Sequence, residues 1–202
     1  MSRLLLVRHG NTMLDSGLRF WGKTDVKLSD DGIKQAKQLR DRLVKEEINA
    51  IYSSNLSRAL VTAKIIAAPH RLTPIACDEL AEINFGILEG LTFDEISQLH
   101  PEQARAMTGK SIPPRFPGGE SITEINDRVK KFLPCLLPYS AEETVLIVAH
   151  SGTLRLLLCN LLGLDLHHWR QLRINLASLS IVANNPQSVT LELLNDVSHL
   201  SS

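Results

Sequence analysis

The sequence predicts an α/β fold of three layers, α/β/α, with a mainly parallel central sheet and an antiparallel edge strand. Two observations carry the parallel part. Short continuous apolar runs stop abruptly at Arg8-His9 and at His150, and amphipathic stretches of helical period alternate with such runs along the chain. The edge strand rests on a third observation, a closing pair of strand-like segments on either side of Asn184-Asn185-Pro186 that reads as a hairpin.

Arg3 to Val7 is a branched-apolar run ended by a charged pair and Gly10, which marks a short buried strand. After an irregular stretch to Lys27, Ser29 is an N-cap, and Ile33, Ala36, Leu39, Leu43 and Val44 recur on one face of a helix of about four turns. Ala50 to Tyr52 is a brief strand, Ser53 and Ser54 a turn, and Leu56 to Ala68 a helix that stops before Pro69. Pro74 to Cys77 fits a third strand. The stretch 84–120 holds Gly86, Gly90, Pro101, Gly109, Pro113, Pro114, Pro117, Gly118 and Gly119, so it is expected as a lid carrying one short helix near Phe93 to Leu99. Ile122 to Leu137 is amphipathic, Thr144 to Ala149 is an apolar strand, Thr153 to Leu162 is a core helix, and Ser178 to Ala183 with Val189 to Leu193 form the hairpin. The expected organisation is a single domain over residues 1–202 with a lid insertion at about 84–120.

A chain of 202 residues, 44% apolar and 22% charged, has enough apolar surface to fold as one domain and lies far from the composition of disorder. Lys plus Arg equals Asp plus Glu at 22 each, so no overall positive field is available for a nucleic acid backbone. No apolar stretch approaches the ~20 residues of a membrane helix, and nothing at the N-terminus marks export. Cys77, Cys135 and Cys159 are odd in number and lack a CxxC pair, which suits reduced, packed thiols in the cytoplasm. His70, His100, His167, His168 and His199 lack the spacing of metal ligands and are read as ordinary histidines.

In an open parallel sheet, ligands gather at the carboxyl ends of the strands. Four segments deliver chemistry there. Arg8-His9-Gly10-Asn11-Thr12 follows a strand directly, joining a guanidinium and an imidazole to a glycine that admits a ligand to the backbone. Ser53-Ser54-Asn55-Leu56-Ser57-Arg58 places Arg58 in the first turn of a helix, where free amides and the dipole also favour phosphate. His150-Ser151-Gly152 repeats the strand-to-helix junction with a second imidazole, and Glu82 sets a carboxylate between core and lid. Each is weak alone, since a strand-end histidine is more often structural; their convergence on one sheet edge is what points to catalysis on a phosphate.

These residues, Arg8-His9-Gly10, Ser53-Ser54 with Arg58-Ala59, Glu82 before Phe85-Gly86, and His150-Ser151-Gly152, resemble the histidine phosphatase superfamily, the phosphoglycerate mutase-like fold, over about residues 3 to 195. Phe85-Gly86 with Glu89-Gly90, and Pro117-Gly118-Gly119-Glu120-Ser121, are similar to its phosphatase branch, to alpha-ribazole phosphatases and to broad-specificity or sugar-bisphosphate phosphatases. The resemblance implies a metal-independent phosphomonoester hydrolase without a cofactor. His9 would attack phosphorus to give a phosphohistidine; Arg8, Arg58 and His150 would hold the equatorial oxygens; Glu82 would be the general acid and then the base. Asn11, Gly22 and Ser151 are expected as further phosphate or substrate contacts. His9 is expected neutral with one nitrogen donating to a backbone carbonyl, and His150 protonated when substrate is bound.

One position departs from the family pattern: Asp15 stands where members commonly carry an Asn, six residues after the nucleophile. A carboxylate there would repel a dianion unless turned away or paired, so Asp15→Asn is expected to leave activity equal or higher. The expected partner is a small phosphorylated metabolite, with alpha-ribazole 5'-phosphate of cobalamin assembly as one named candidate; neither nucleic acid nor membrane is expected, and the chain would act as a monomer or homodimer. A phosphoglycerate mutase and a non-catalytic module that docks phosphorylated ligands are the two alternatives.

Overall fold

A computed structural model describes residues 3–14, 19–109, 115–140, 142–185 and 188–200. The elements run β1 (Arg3–Arg8), α1 (Asp30–Leu43), β2 (Ile48–Ser54), α2 (Ser57–Ala67), β3 (Ile75–Cys77), α3 (Phe93–Leu99), α4 (Pro101–Thr108), α5 (Ile122–Phe132), β4 (Thr144–Ala149), α6 (Ser151–Leu162), β5 (Leu179–Asn185) and β6 (Ser188–Asp196). They form a six-stranded sheet in the order β3-β2-β4-β1-β5-β6. The first four of these strands pair in parallel, β5 runs antiparallel to β1, and β6 closes the edge antiparallel to β5.

The pleat sorts side chains to two helix layers. From β1, Leu4 and Leu6 pack with Val145 and Ile147 of β4 and with Ile125, Val129 and Phe132 of α5 and Leu154 and Leu158 of α6. Leu5 and Val7 face the opposite way, onto Leu39 and Leu43 of α1 and Ala59, Ala63 and Ile66 of α2. Strands buried on both faces read as unbroken apolar runs, which is why β1 and β4 stand out in the sequence. Register then fixes the site: Arg8 lies opposite Ala149, and Ser53 opposite Val148, so His9, His150 and Ser54 emerge at one level of the sheet.

Four local expectations need correction. Ser53 and Ser54 are not a turn but the last residues of β2, both fully buried. Their hydroxyls are satisfied there, Ser53 Oγ donating to Ser54 O at 2.9 Å while Ser54 Oγ accepts from Leu56 N–H at 3.2 Å and pairs with His150 Nε2 at 2.8 Å. Helix α6 begins at Ser151, two residues earlier than expected, because an acceptor from another segment, Glu82, takes its first free N–H groups. The described residues of stretch 84–120 hold two α-helices rather than one, the second starting at Pro101, a residue suited to a first helical turn. Phe85, Leu88, Ile96, Ala104 and Phe116 of that stretch are buried in the same cluster as α5 and α6. Helix α5 ends at Phe132 and tightens into a 3-10 turn over Leu133–Leu136, where Pro134 lacks the amide that would extend an α-helix.

Candidate active site

His9 follows β1 and is 6% exposed. Its backbone N–H donates to Ala149 O at 3.1 Å, continuing the β1–β4 ladder one step past the strands. Its Nδ1 lies 2.7 Å from Gly10 O. A carbonyl only accepts, so Nδ1 carries the proton and, in the neutral ring, Nε2 keeps its lone pair. Burial, aided by the positive charges of Arg8 and Arg58, holds His9 well below the ordinary imidazole range, against the opposing pull of the Gly10 carbonyl. The loop approaches α1 closely: a Cβ at position 10 would fall 2.5 Å from Gly32 O, and one at position 32 would fall 2.0 Å from Asn11 O. Glycine at both positions lets β1 hand its terminal imidazole directly onto the start of α1.

Arg58, in the first turn of α2, is 1% exposed. It donates to Thr24 O at 2.9 Å and Gly22 O at 2.6 Å, carbonyls of a loop held in turn by the Glu89 carboxylate, which accepts from Lys23 N–H and Thr24 N–H at 2.8 Å each. Arg8 donates to Ile174 O at 2.8 Å. Both guanidinium groups are thus aimed by backbone carbonyls. His150 is fully buried, with its ring centre 5.0 Å from that of His9. Burial first, then Arg58, His9, Arg8 and Arg128, lower its proton affinity well below the ordinary value, so burial and the neighbouring cations favour the neutral form of both imidazoles. Nδ1 of His150 makes no hydrogen bond to a described residue.

Glu82 is 7% exposed and lies across the N-terminus of α6. Its Oε2 accepts from Gly152 N–H at 3.2 Å, and its Oε1 accepts from Thr153 N–H at 3.3 Å and from Ile83 N–H at 3.0 Å. A Cβ at position 152 would meet Glu82 Oε1 at 2.6 Å, so Gly152 is what lets the carboxylate reach the helix. Arg128 of α5 holds the segment from behind, donating to Glu79 O at 2.9 Å and Ala81 O at 2.8 Å while pairing with Glu120 at 3.2 Å.

A cavity of about 730 Å³ opens over these groups. Arg8, His9, Arg58, Glu82, Ser151 and Gly152 line one end, and Phe20, Phe85, Met107, Phe116, Trp169 and Arg155 are among the residues lining the rest. Of the predicted site residues, His9, Glu82, Arg8, Arg58 and Ser151 meet at the wall, and His150 lies fully buried against His9. Asn11 and Gly22 do not line it: Asn11 Oδ1 accepts from Thr12 N–H at 2.9 Å, and Gly22 packs under Ile83 O while its carbonyl aims Arg58. Asp15 lies outside the described residues. Among the described residues no three of His, Cys, Asp and Glu converge as a metal site, and no helix is long and apolar enough to cross a membrane.

Sequence reading missed Arg128, Arg155, Trp169 and Met107. Arg155 alone carried a usable signal, lying four residues after Ser151 and therefore on the same face of α6. Trp169 and Met107 arrive from a 3-10 turn over Leu166–Gln171 and from α4, where nothing local points to the site.

Comparison with known proteins shows the family. The model of the histidine phosphatase superfamily (branch 1) matches residues 4–197. Phosphoserine phosphatase 1 of Hydrogenobacter thermophilus is 34% identical over 200 residues, covering 99% of this chain and 95% of the relative. A probable phosphoglycerate mutase GpmB of Yersinia pestis is 37% identical over 182 residues, covering 90% of this chain and 85% of the relative. The alpha-ribazole phosphatase of Shigella flexneri superposes with a TM-score of 0.86 at 28% identity, covering 96% of both chains. The chain belongs to the histidine phosphatase superfamily, branch 1, and is a phosphatase of that family.

Proposed function

We propose that the enzyme hydrolyses small phosphomonoesters by transferring the phosphoryl group to Nε2 of His9 and from there to water, without a metal ion. The observation that carries this reading is the locked tautomer of His9: Nδ1–H is held by Gly10 O at 2.7 Å, and the ring is kept neutral beside two guanidinium groups. A neutral imidazole with its lone pair fixed in direction is the nucleophile such a transfer needs, and the charge developing on the transferred group meets cations already in place. In this reading Arg8, Arg58 and His150 hold the equatorial oxygens, Ser151 offers the first amide of α6, and Glu82 protonates the leaving oxygen before activating water. The names of the relatives, a phosphoserine phosphatase, an alpha-ribazole phosphatase and a phosphoglycerate mutase, all concern small phosphorylated metabolites.

The test is release of inorganic phosphate from p-nitrophenyl phosphate in EDTA, together with acid-labile labelling of His9 from a labelled donor. His9→Ala is expected to abolish both, and Arg58→Ala to lower kcat on the order of 100-fold. Activity that survives His9→Ala, or that appears only with added metal, would refute the mechanism. The mutase alternative draws on the Yersinia relative and is judged in the same assay: phosphate released from 3-phosphoglycerate marks a hydrolase, whereas 2-phosphoglycerate without phosphate marks a mutase.

A further inference from the structure

The cavity wall carries five arginines, Arg8, Arg19, Arg58, Arg155 and Arg170, against one carboxylate among the described residues, Glu82. Four of the five are engaged by the protein. Arg8 and Arg58 donate to backbone carbonyls, Arg19 pairs with Glu95 at 2.7 Å and donates to Gly90 O, and Arg170 donates to Met107 O and Gly109 O. Arg155 makes no hydrogen bond or ion pair with any described residue and its Nε is buried without a partner there; burial lowers its proton affinity, opposed only by the more distant charge of Glu82. Its guanidinium carbon lies 5.9 Å from the centre of the Trp169 ring, which also carries Arg170 at 5.5 Å, so two cations share one aromatic with no anion between them. Burial and mutual repulsion destabilise that arrangement, Arg170 losing proton affinity to both causes.

The placement is regular. Arg155 stands four residues beyond Ser151 on α6, about 6 Å along the helix axis and on the same face. A ligand whose phosphate sits at His9 and the first turn of α6 would present its organic part to Arg155, one turn further on. A planar guanidinium with open donors matches a carboxylate, and Trp169, Met107 and Phe116 line the same cavity.

We propose that Arg155 forms a second anion subsite of the cavity, taking a carboxylate that the substrate carries a few bonds from its phosphate. The proposal rests on the phosphomonoesterase reading for the position of the first anion. It is tested with two phosphomonoesters differing only in the distal group, 3-phosphoglycerate and glycerol 3-phosphate. Wild-type enzyme is expected to favour the carboxylate by about 10-fold or more in kcat/KM, mainly through KM. Arg155→Met should bring that ratio near one, and Arg155→Lys should restore part of it. A ratio near one in the wild type, or an equal fall for both esters in Arg155→Met, would overturn the subsite. Calorimetric titration of the same two esters into His9→Ala protein asks the question without turnover: the same preference is expected, and equal affinities would refute it. A binding preference without any hydrolysis would sink the hydrolase reading and leave the subsite standing.

Discussion

At the scale of the residue, burial and neighbouring cations favour the neutral form of two imidazoles to which the proposed mechanism gives different ends. His9 is oriented by Gly10 O and needs no proton on Nε2. His150 has Nε2 against Ser54 Oγ and a buried Nδ1 without a partner among the described residues, while Arg58, His9 and Arg8 add to the effect of burial in keeping it uncharged. A dianion placed among these groups reverses the sign of the local field, and an imidazole so close to it should then take up a proton. Tungstate, which binds no proton itself at pH 7, is therefore expected to bind with uptake of about one proton per site. Calorimetry in buffers of different ionisation enthalpy measures that uptake, and binding with none would remove His150 from the charged clamp.

At the scale of the element, Glu82 does two jobs because α6 has no side-chain cap of its own. Its carboxylate accepts from Gly152 N–H and Thr153 N–H, so it stabilises a core helix as well as facing the cavity. Glu82→Gln keeps one acceptor oxygen for those amides, and Glu82→Ala keeps none. Both changes are expected to lower kcat about 100-fold or more, but Glu82→Ala should cost about 1 kcal/mol more stability, read as a lower melting temperature. Equal melting temperatures would separate Glu82 from the helix. The same junctions explain what the sequence could tell. His9 and His150 were legible because each ends an apolar run, and Arg58 because it opens a helix. Ser53 and Ser54 were misread because their polarity suggests a turn, and the group that satisfies Ser54 lies 96 residues away in His150. The far wall of the cavity was illegible for a similar reason: Phe116, Met107 and Trp169 come from separate segments, and only tertiary packing brings them together.

At the scale of the whole molecule, a sheet buried between two helix layers makes folding sensitive to pH through the histidines it encloses. His9 and His150 both have folded-state proton affinities well below the ordinary value, and His70 and His199 are shifted the same way by burial. The unfolded chain binds protons at these positions as pH falls through about 6.5, whereas the folded chain does not. Stability is therefore full above that value and falls as pH drops below it, towards the lowered folded values. His9 and His150, the two shifted furthest, contribute one proton each to the unfolded state, and for this pair the slope approaches about 2.7 kcal/mol per pH unit. Carboxylates such as Asp196, held low by Ser198 N–H and by Arg42, lose their contribution only below about pH 4, so they do not confuse the window from 7.5 to 5.5. Urea unfolding across that window is expected to show a midpoint that falls steadily with pH, and His9→Asn should flatten the slope by removing one of the buried imidazoles. Tungstate should oppose the fall, because it favours the protonated form of His150 only in the folded state. A midpoint unchanged between pH 7.5 and 5.5 would mean that the two imidazoles titrate normally in the folded enzyme, and with that the neutral nucleophile would lose its physical basis.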